Sequence, residues 1–149
     1  MLGLAAKLLP GVRIIRSLRD PRDIAISCYM QDFGNAHPYR STFESLADEL
    51  IRHQQVFERW TAQTNLALHQ TVLEELTADP EPRARALIEF LGLEWDDACL
   101  RFHESGSHVK TASVDQIRSG INTKGHGRWK NYQSQLEPMT TRLAELLDR

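Results

Sequence analysis

The sequence predicts an α/β protein with a short parallel sheet flanked by helices. Two stretches rich in branched apolar residues, Val12 to Leu18 and Leu66 to Leu73, read as strands. A long segment with apolar residues at helical spacing lies between them, and further helical segments follow the second. Strands separated by helices need crossover connections, and crossovers favour parallel pairing. At 149 residues, 41% of them hydrophobic, the chain has the length of one ordinary domain with a single core and is short for two.

The opening MLGLAAKLLPG is apolar but short, contains Lys7 and runs straight into the first strand. It reads as the end of a core helix rather than a signal peptide. After the strand, with Val12, Ile14, Ile15 and Leu18, comes a charged turn, Arg19-Asp20-Pro21-Arg22-Asp23, and then a helix carrying Ile24, Ile26, Ser27 and Tyr29. Pro21 suits the first turn of that helix, where a missing N–H costs nothing, and Asp20 suits its cap.

Gly34, Asn35, His37 and Pro38 form a breaker cluster expected to be a surface loop. Ser41-Thr42-Phe43-Glu44 then supplies a capping box for the longest helix. Its apolar stripe of Phe43, Leu46, Ala47, Leu50, Ile51 and Phe57 continues to about Trp60, opposite a solvated face of Glu44, Asp48, Glu49, Arg52, Glu58 and Arg59. Asn65 ends it before the second strand. A helix over Pro82 to Leu91 carries Leu87, Ile88 and Leu91 on one face and stops at Gly92. Trp95-Asp96-Asp97 opens a shorter helix to about Glu104. The last helix is expected near Pro138 to Leu147, packing Met139, Leu143 and Leu146 or Leu147.

Between them, Ser105 to Arg128 has little periodicity and four glycines, Gly106, Gly120, Gly125 and Gly127. A loop of that length inside a compact domain is expected to do something, such as cover a ligand.

Composition narrows the function. A formal charge of −2, with sparse aromatic residues not interleaved with basic ones, argues against nucleic acid as a partner. Local charge is uneven, however. Lys110 to Lys130 holds Lys110, Arg118, Lys124, Arg128 and Lys130 against Asp115 alone, which suits a local anion site. Cys28 and Cys99 are too few for a disulfide framework and fit a reducing compartment such as a bacterial-type cytoplasm. No run approaches the ~20 apolar residues needed to span a bilayer, so no membrane partner is expected. Cys99, His103 and His108 are three scattered candidate ligands, and no metal is expected. No Ser/His/Asp or Cys/His set stands out for nucleophilic catalysis.

A strand feeding a helix through an arginine-bearing turn is a place to hold an anion. Backbone N–H groups and the helix dipole point at the turn, and arginine adds a two-pronged grip on phosphate or sulfate oxygens. Arg19 and Ser27 stand eight residues apart, about two helical turns, so both reach one anion lying along the helix side. The same residues admit a plainer role, in which Arg19 pairs with Asp23 and Ser27 packs as a small residue. Lys124-Gly125-His126-Gly127-Arg128 flanks its glycines with two cations, without the order of a Walker loop. Alone it reads as a flexible basic turn; beside the Arg19 turn it suggests two basic elements converging on one anionic ligand.

Three blocks carry a family resemblance: LLPGVRIIRSLRDPRDIAISCYMQDF, LEELTADPEPRARALIEFLGLEWDDACLRFHE and VKTASVDQIRSGINTKGHGRWKNY. In content, order and spacing the chain resembles the sulfotransferase family. It is most similar to the bacterial branch related to tyrosylprotein sulfotransferases and often fused to tetratricopeptide repeats.

The resemblance implies the C-terminal portion, over residues 1–149, of an incomplete P-loop-like three-layer sulfotransferase fold, holding the cofactor's 3′-phosphate side and a lid loop. The implied cofactor is 3′-phosphoadenosine 5′-phosphosulfate (PAPS), the sulfate donor. Arg19 and Ser27 match the family's pair on its 3′-phosphate. Ser113 aligns with a serine beside the transferring sulfuryl group, the one catalytic candidate. Arg128 aligns with a basic residue near the donor, and Lys124 and Gly125 correspond more loosely to a basic-Gly loop that closes over the 3′-phosphate. The implied acceptor bears a hydroxyl, on a small molecule or a protein tyrosine.

Two departures bear on activity. Leu73 stands where the family usually has a tyrosine against the adenine. The family's PRSGTT-type phosphosulfate loop, acidic base and KMP-like lysine, all expected before the position of Met1, occur nowhere in the chain. Sulfuryl transfer needs positioned positive charge on the departing phosphate and a base on the acceptor hydroxyl. Losing one preorganised donor alone typically costs ~10²–10³ in rate. The expectation is therefore a truncated sulfotransferase, inactive alone, whose partner is a missing N-terminal half or a second copy. The alternative is a non-catalytic nucleotide- or partner-binding α/β module.

Overall fold

The computed structural model describes residues 2–31, 42–104 and 120–144. In chain order the elements are α1 (Leu2–Leu8), β1 (Arg13–Leu18), α2 (Pro21–Met30), α3 (Phe43–Ala62), β2 (Ala67–Val72), α4 (Leu73–Ala78), α5 (Pro80–Leu91), a 3₁₀ helix (Asp97–Glu104), a second 3₁₀ helix (Arg128–Tyr132) and α6 (Gln133–Arg142). β1 and β2 pair in parallel as a two-stranded sheet, which makes the protein α/β. No helix among the described residues is long and apolar enough to cross a membrane.

The chain divides into two compact units, each assembled from separate stretches of sequence. The first comprises residues 1–12, 19–67 and 126–149. Its core is Ala25 and Ile26 of α2, Leu46 and Ala47 of α3, and Leu136, Met139 and Leu143 from α6 and its C-terminal end, each at most 2% exposed. Spacings of three and four residues put Leu136, Met139 and Leu143 on one face, and burial of each such side chain stabilises by about 1.5–3 kcal/mol. Phe43, Leu50, Ile51, Trp129 and Tyr132 pack half-buried around this core. Arg142 reaches Asp48 of α3 at 2.6 Å, but both are half exposed, so the pair contributes at most about 1 kcal/mol.

α1 belongs to this unit and is helical as expected, yet it is no core helix. Leu4 and Leu8 are more than half exposed, and what it buries is Gly3, against the Trp60 ring. The capping box of α3 sits one residue later than the sequence suggested. Thr42 Oγ1 accepts from the Ser45 N–H at 3.1 Å and Ser45 Oγ from the Thr42 N–H at 3.3 Å, so a hydroxyl does the work expected of Glu44. α6 starts at Gln133 and carries Pro138 inside it, well before the expected start. Beginning earlier places Leu136 on the buried face, which offsets the hydrogen bond that Pro138 forgoes.

The second unit comprises residues 13–18 and 68–125 and contains the sheet, α4, α5 and the 3₁₀ helix Asp97–Glu104. None of its described residues is fully buried. It is held by half-covered contacts: the His69 and Phe90 rings at 5.2 Å, and the Arg85 guanidinium 4.2 Å over Trp95. Gly92, with φ 71°, stops α5 as expected, its N–H donating to the Glu89 carbonyl and the Leu93 N–H to that of Ile88. α5 begins at Pro80, two residues before the expected Pro82, and α4 follows β2 without a break, so sequence reading merged it into the strand and loop. The expected loop around Gly34 to Pro38 lies outside the described residues.

Candidate functional site

The N-terminus of α2 shows where the chain's own groups have gone. Asp20 is the cap: its Oδ1 accepts from the Arg22 N–H at 2.9 Å, and its carbonyl accepts from the Ile24 N–H at 3.0 Å. Pro21 has no N–H to satisfy. Of the N–H groups that a helix start leaves over, Pro21 has none and that of Arg22 is taken by the Asp20 side chain. The Asp20 carboxylate also grips the Arg22 side chain through Nε at 2.9 Å and Nη2 at 2.7 Å. Burial pushes the Asp20 carboxyl up, but the hydrogen bonds and charge of Arg22, with a contribution from the Trp129 side chain, outweigh it and hold the group below its ordinary value. The same contact raises Arg22, partly offset by burial.

Asp23, one residue further, is 2% exposed. Its Oδ2 accepts from the Gly127 N–H at 2.6 Å and its Oδ1 from the Trp129 N–H at 2.9 Å. Both oxygens are therefore engaged by the Gly127–Trp129 turn, and not by Arg19 as the plainer sequence reading had it. The turn needs Gly127, whose φ of 64° lies in the left-handed region. Above it the Arg22 guanidinium lies 3.6 Å from the centroid of the Trp129 ring. Arg22 thus links the cap of α2 to the turn by an ion pair on one side and a cation–π contact on the other.

Residues 23, 27 and 30 lie four and three apart, on one stripe of α2. Asp23 takes the backbone of the turn at one end of that stripe, and Met30 Sδ is 3.3 Å from Arg128 Nη2 at the other. Ser27 stands between them and is half-buried. Arg19 is half-buried and belongs to the same unit. Burial pushes the Cys28 thiol up while the charge of Arg19 pulls it down. Ser27 and the Arg128–Met30 contact thus lie on one stripe of α2, while Asp20 pairs with Arg22 and Asp23 accepts from the turn amides.

Lys124 and Gly125 belong to the second unit, where the Lys124 N–H donates to Asn122 Oδ1 at 3.1 Å and Asn122 Nδ2 to the Gly120 carbonyl at 3.0 Å. Lys124 is exposed and Gly125 half-buried. Leu73 opens α4, half-buried. Ser113 lies outside the described residues. Sequence reasoning missed the roles of Asp23 and Trp129. An acidic residue in a first helical turn is ordinary, and its partners stand more than a hundred positions away.

Two comparisons bear on identity. Residues 1–97 match the model of the sulfotransferase family. Over 146 residues the chain is 30% identical to an uncharacterized protein of Aquifex aeolicus (strain VF5), a match that takes in 96% of this chain and 19% of that protein. The chain thus spans about a fifth of the length of this relative. The family match includes the strand, turn and helix that carry Arg19 and Ser27, and it extends over more than half of the sequence: the chain belongs to the sulfotransferase family.

Proposed function

We propose that this chain forms the 3′-phosphate side of a donor site for PAPS, in a protein that transfers the sulfuryl group to a hydroxyl acceptor. Arg19 grips phosphate oxygens and the Ser27 hydroxyl donates to another from the side of α2. Arg128 adds positive charge from the turn. The observation that supports this best is the stripe of α2 on which Ser27 stands between two anchor points of the Arg128-bearing turn, with the Arg19 charge reaching the neighbouring Cys28. Of the two carboxylates nearby, Asp20 is paired with Arg22 and Asp23 accepts from two amides.

Family membership implies transferase chemistry, and the roles of Lys124, Gly125 and Ser113 rest on the sequence resemblance. With no PRSGTT-like loop in its sequence, the chain on its own binds the donor's far end and does not turn it over. Its acceptor is a hydroxyl of a small molecule or a protein tyrosine.

Calorimetry with adenosine 3′,5′-bisphosphate tests the binding claim. Binding by the whole chain that falls at least tenfold in Arg19→Ala is expected, and a folded chain that does not bind overturns the proposal. Incubation with labelled donor and assorted hydroxyl acceptors tests the second claim, which clear turnover would refute.

A further inference from the structure

We propose that Asp23 is a positioning residue for this site, acting through the turn that carries Arg128. The inference rests on the donor-site reading above for its purpose, but its geometry stands separately. A carboxylate removed from water is stable only if its charge is answered. Asp23 is 2% exposed, and its two oxygens are answered by two backbone amides of one turn, Gly127 at 2.6 Å and Trp129 at 2.9 Å. Those amides belong to the residues on either side of Arg128. A bidentate grip on both neighbours fixes the backbone at Arg128 and so fixes the direction in which its side chain leaves.

That direction runs along the helix. Arg128 Nη2 lies against Met30 Sδ, seven residues beyond Asp23 on the same stripe, passing the level of Ser27. Arg128 is itself exposed, and a long exposed side chain is not held in place by burial. Its placement against Met30 therefore depends on the backbone beneath it. Gly127 contributes by adopting φ 64°, which presents its N–H to Asp23 and caps the following 3₁₀ helix, with the Lys130 N–H donating back to the Gly127 carbonyl at 3.1 Å. Arg22 over the Trp129 ring closes the turn from the other side. Asp23 touches no ligand in this account; it sets where a cation stands.

Asp23→Asn is the isosteric test. The amide keeps one acceptor, turns the other oxygen into a donor facing a donor, and removes the charge. In the whole chain, hydrogen exchange at the Gly127 and Trp129 amides is expected to be slow and to speed up at least tenfold in Asp23→Asn. Affinity for adenosine 3′,5′-bisphosphate is expected to fall about tenfold in Asp23→Asn, about as much in Arg128→Ala, and no further in the double variant. The double variant separates positioning from a general loss of structure, which would add to the Arg128 effect.

Unchanged exchange, or unchanged affinity in a folded Asp23→Asn chain, overturns the proposal. If that variant does not fold, Arg128→Ala decides, and full binding without Arg128 overturns it equally. If the wild-type chain does not bind the nucleotide, the donor-site reading fails by itself, and the exchange rates alone then decide whether Asp23 holds the turn.

Discussion

Replacing Arg22 probes the join between α2 and the turn most directly. Its side chain makes two contacts of different kinds. The forked pair with Asp20, at 2.9 and 2.7 Å and with both groups a quarter exposed or less, contributes about 1 kcal/mol, the upper end for pairs in contact with solvent. Stacking over Trp129 at 3.6 Å adds about 0.5–2 kcal/mol. The cap of α2 survives, because it uses the backbone N–H of residue 22. Arg22→Ala is therefore expected to cost about 1.5–3 kcal/mol in urea unfolding followed by circular dichroism. Arg22→Lys should recover only part of this, since an ammonium keeps the charge without the planar fork. Combining Arg22→Ala with Trp129→Leu isolates the stacking, with a coupling of about 0.5–2 kcal/mol expected. A loss below about 0.5 kcal/mol in Arg22→Ala, or strict additivity in the double variant, would refute the linkage.

Other expectations concern the same unit. The Asp20 carboxyl is lowered on folding, so its contribution is complete above its unfolded value near ~4 and is lost as pH falls through the folded value. Acid titration of stability should therefore be less steep in Asp20→Asn, and an unchanged slope would contradict the assignment. Leu136→Ala, at a fully buried position, should cost about 2–5 kcal/mol by denaturant unfolding. Gly3→Ala sets a helix-propensity gain of about 1 kcal/mol against about 1–3 kcal/mol for a methyl group overlapping the Trp60 ring. It should destabilise the wild-type chain and stabilise a Trp60→Leu chain, and thermal melts of the two pairs will show whether the sign reverses.

The helices and strands were legible wherever local chemistry decides them. Asp20-Pro21 marks the start of α2 and Gly92 the end of α5, because a cap, a ring and a left-handed backbone act within a few residues. The sequence misplaced the start of α6 for the opposite reason: Pro138 is a strong local signal, and burial of Leu136 against distant helices overrides it. The exposed Leu4 and Leu8 of α1 show the same limit, since apolar character does not say what, if anything, covers a face. At the candidate site, the turn holding Arg19 and the helix holding Ser27 were legible from the Asp20-Pro21 start signal. Asp23 was not, because its partners are remote in sequence and are backbone amides, which leave no trace in residue type.

That remoteness governs how the first unit can form. Asp23 meets Gly127 and Trp129 across 104 and 106 positions, and Leu136, Met139 and Leu143 supply three of the seven described core residues to helices that precede them by about ninety or more. A chain made from its N-terminus has α2 and α3 long before α6. Until then their apolar faces lack a large share of their cover, and the Asp23 carboxylate has no amides to meet it. Assembly of this unit therefore waits for the stretch from Gly127 to Leu143 and includes the closure of a long loop.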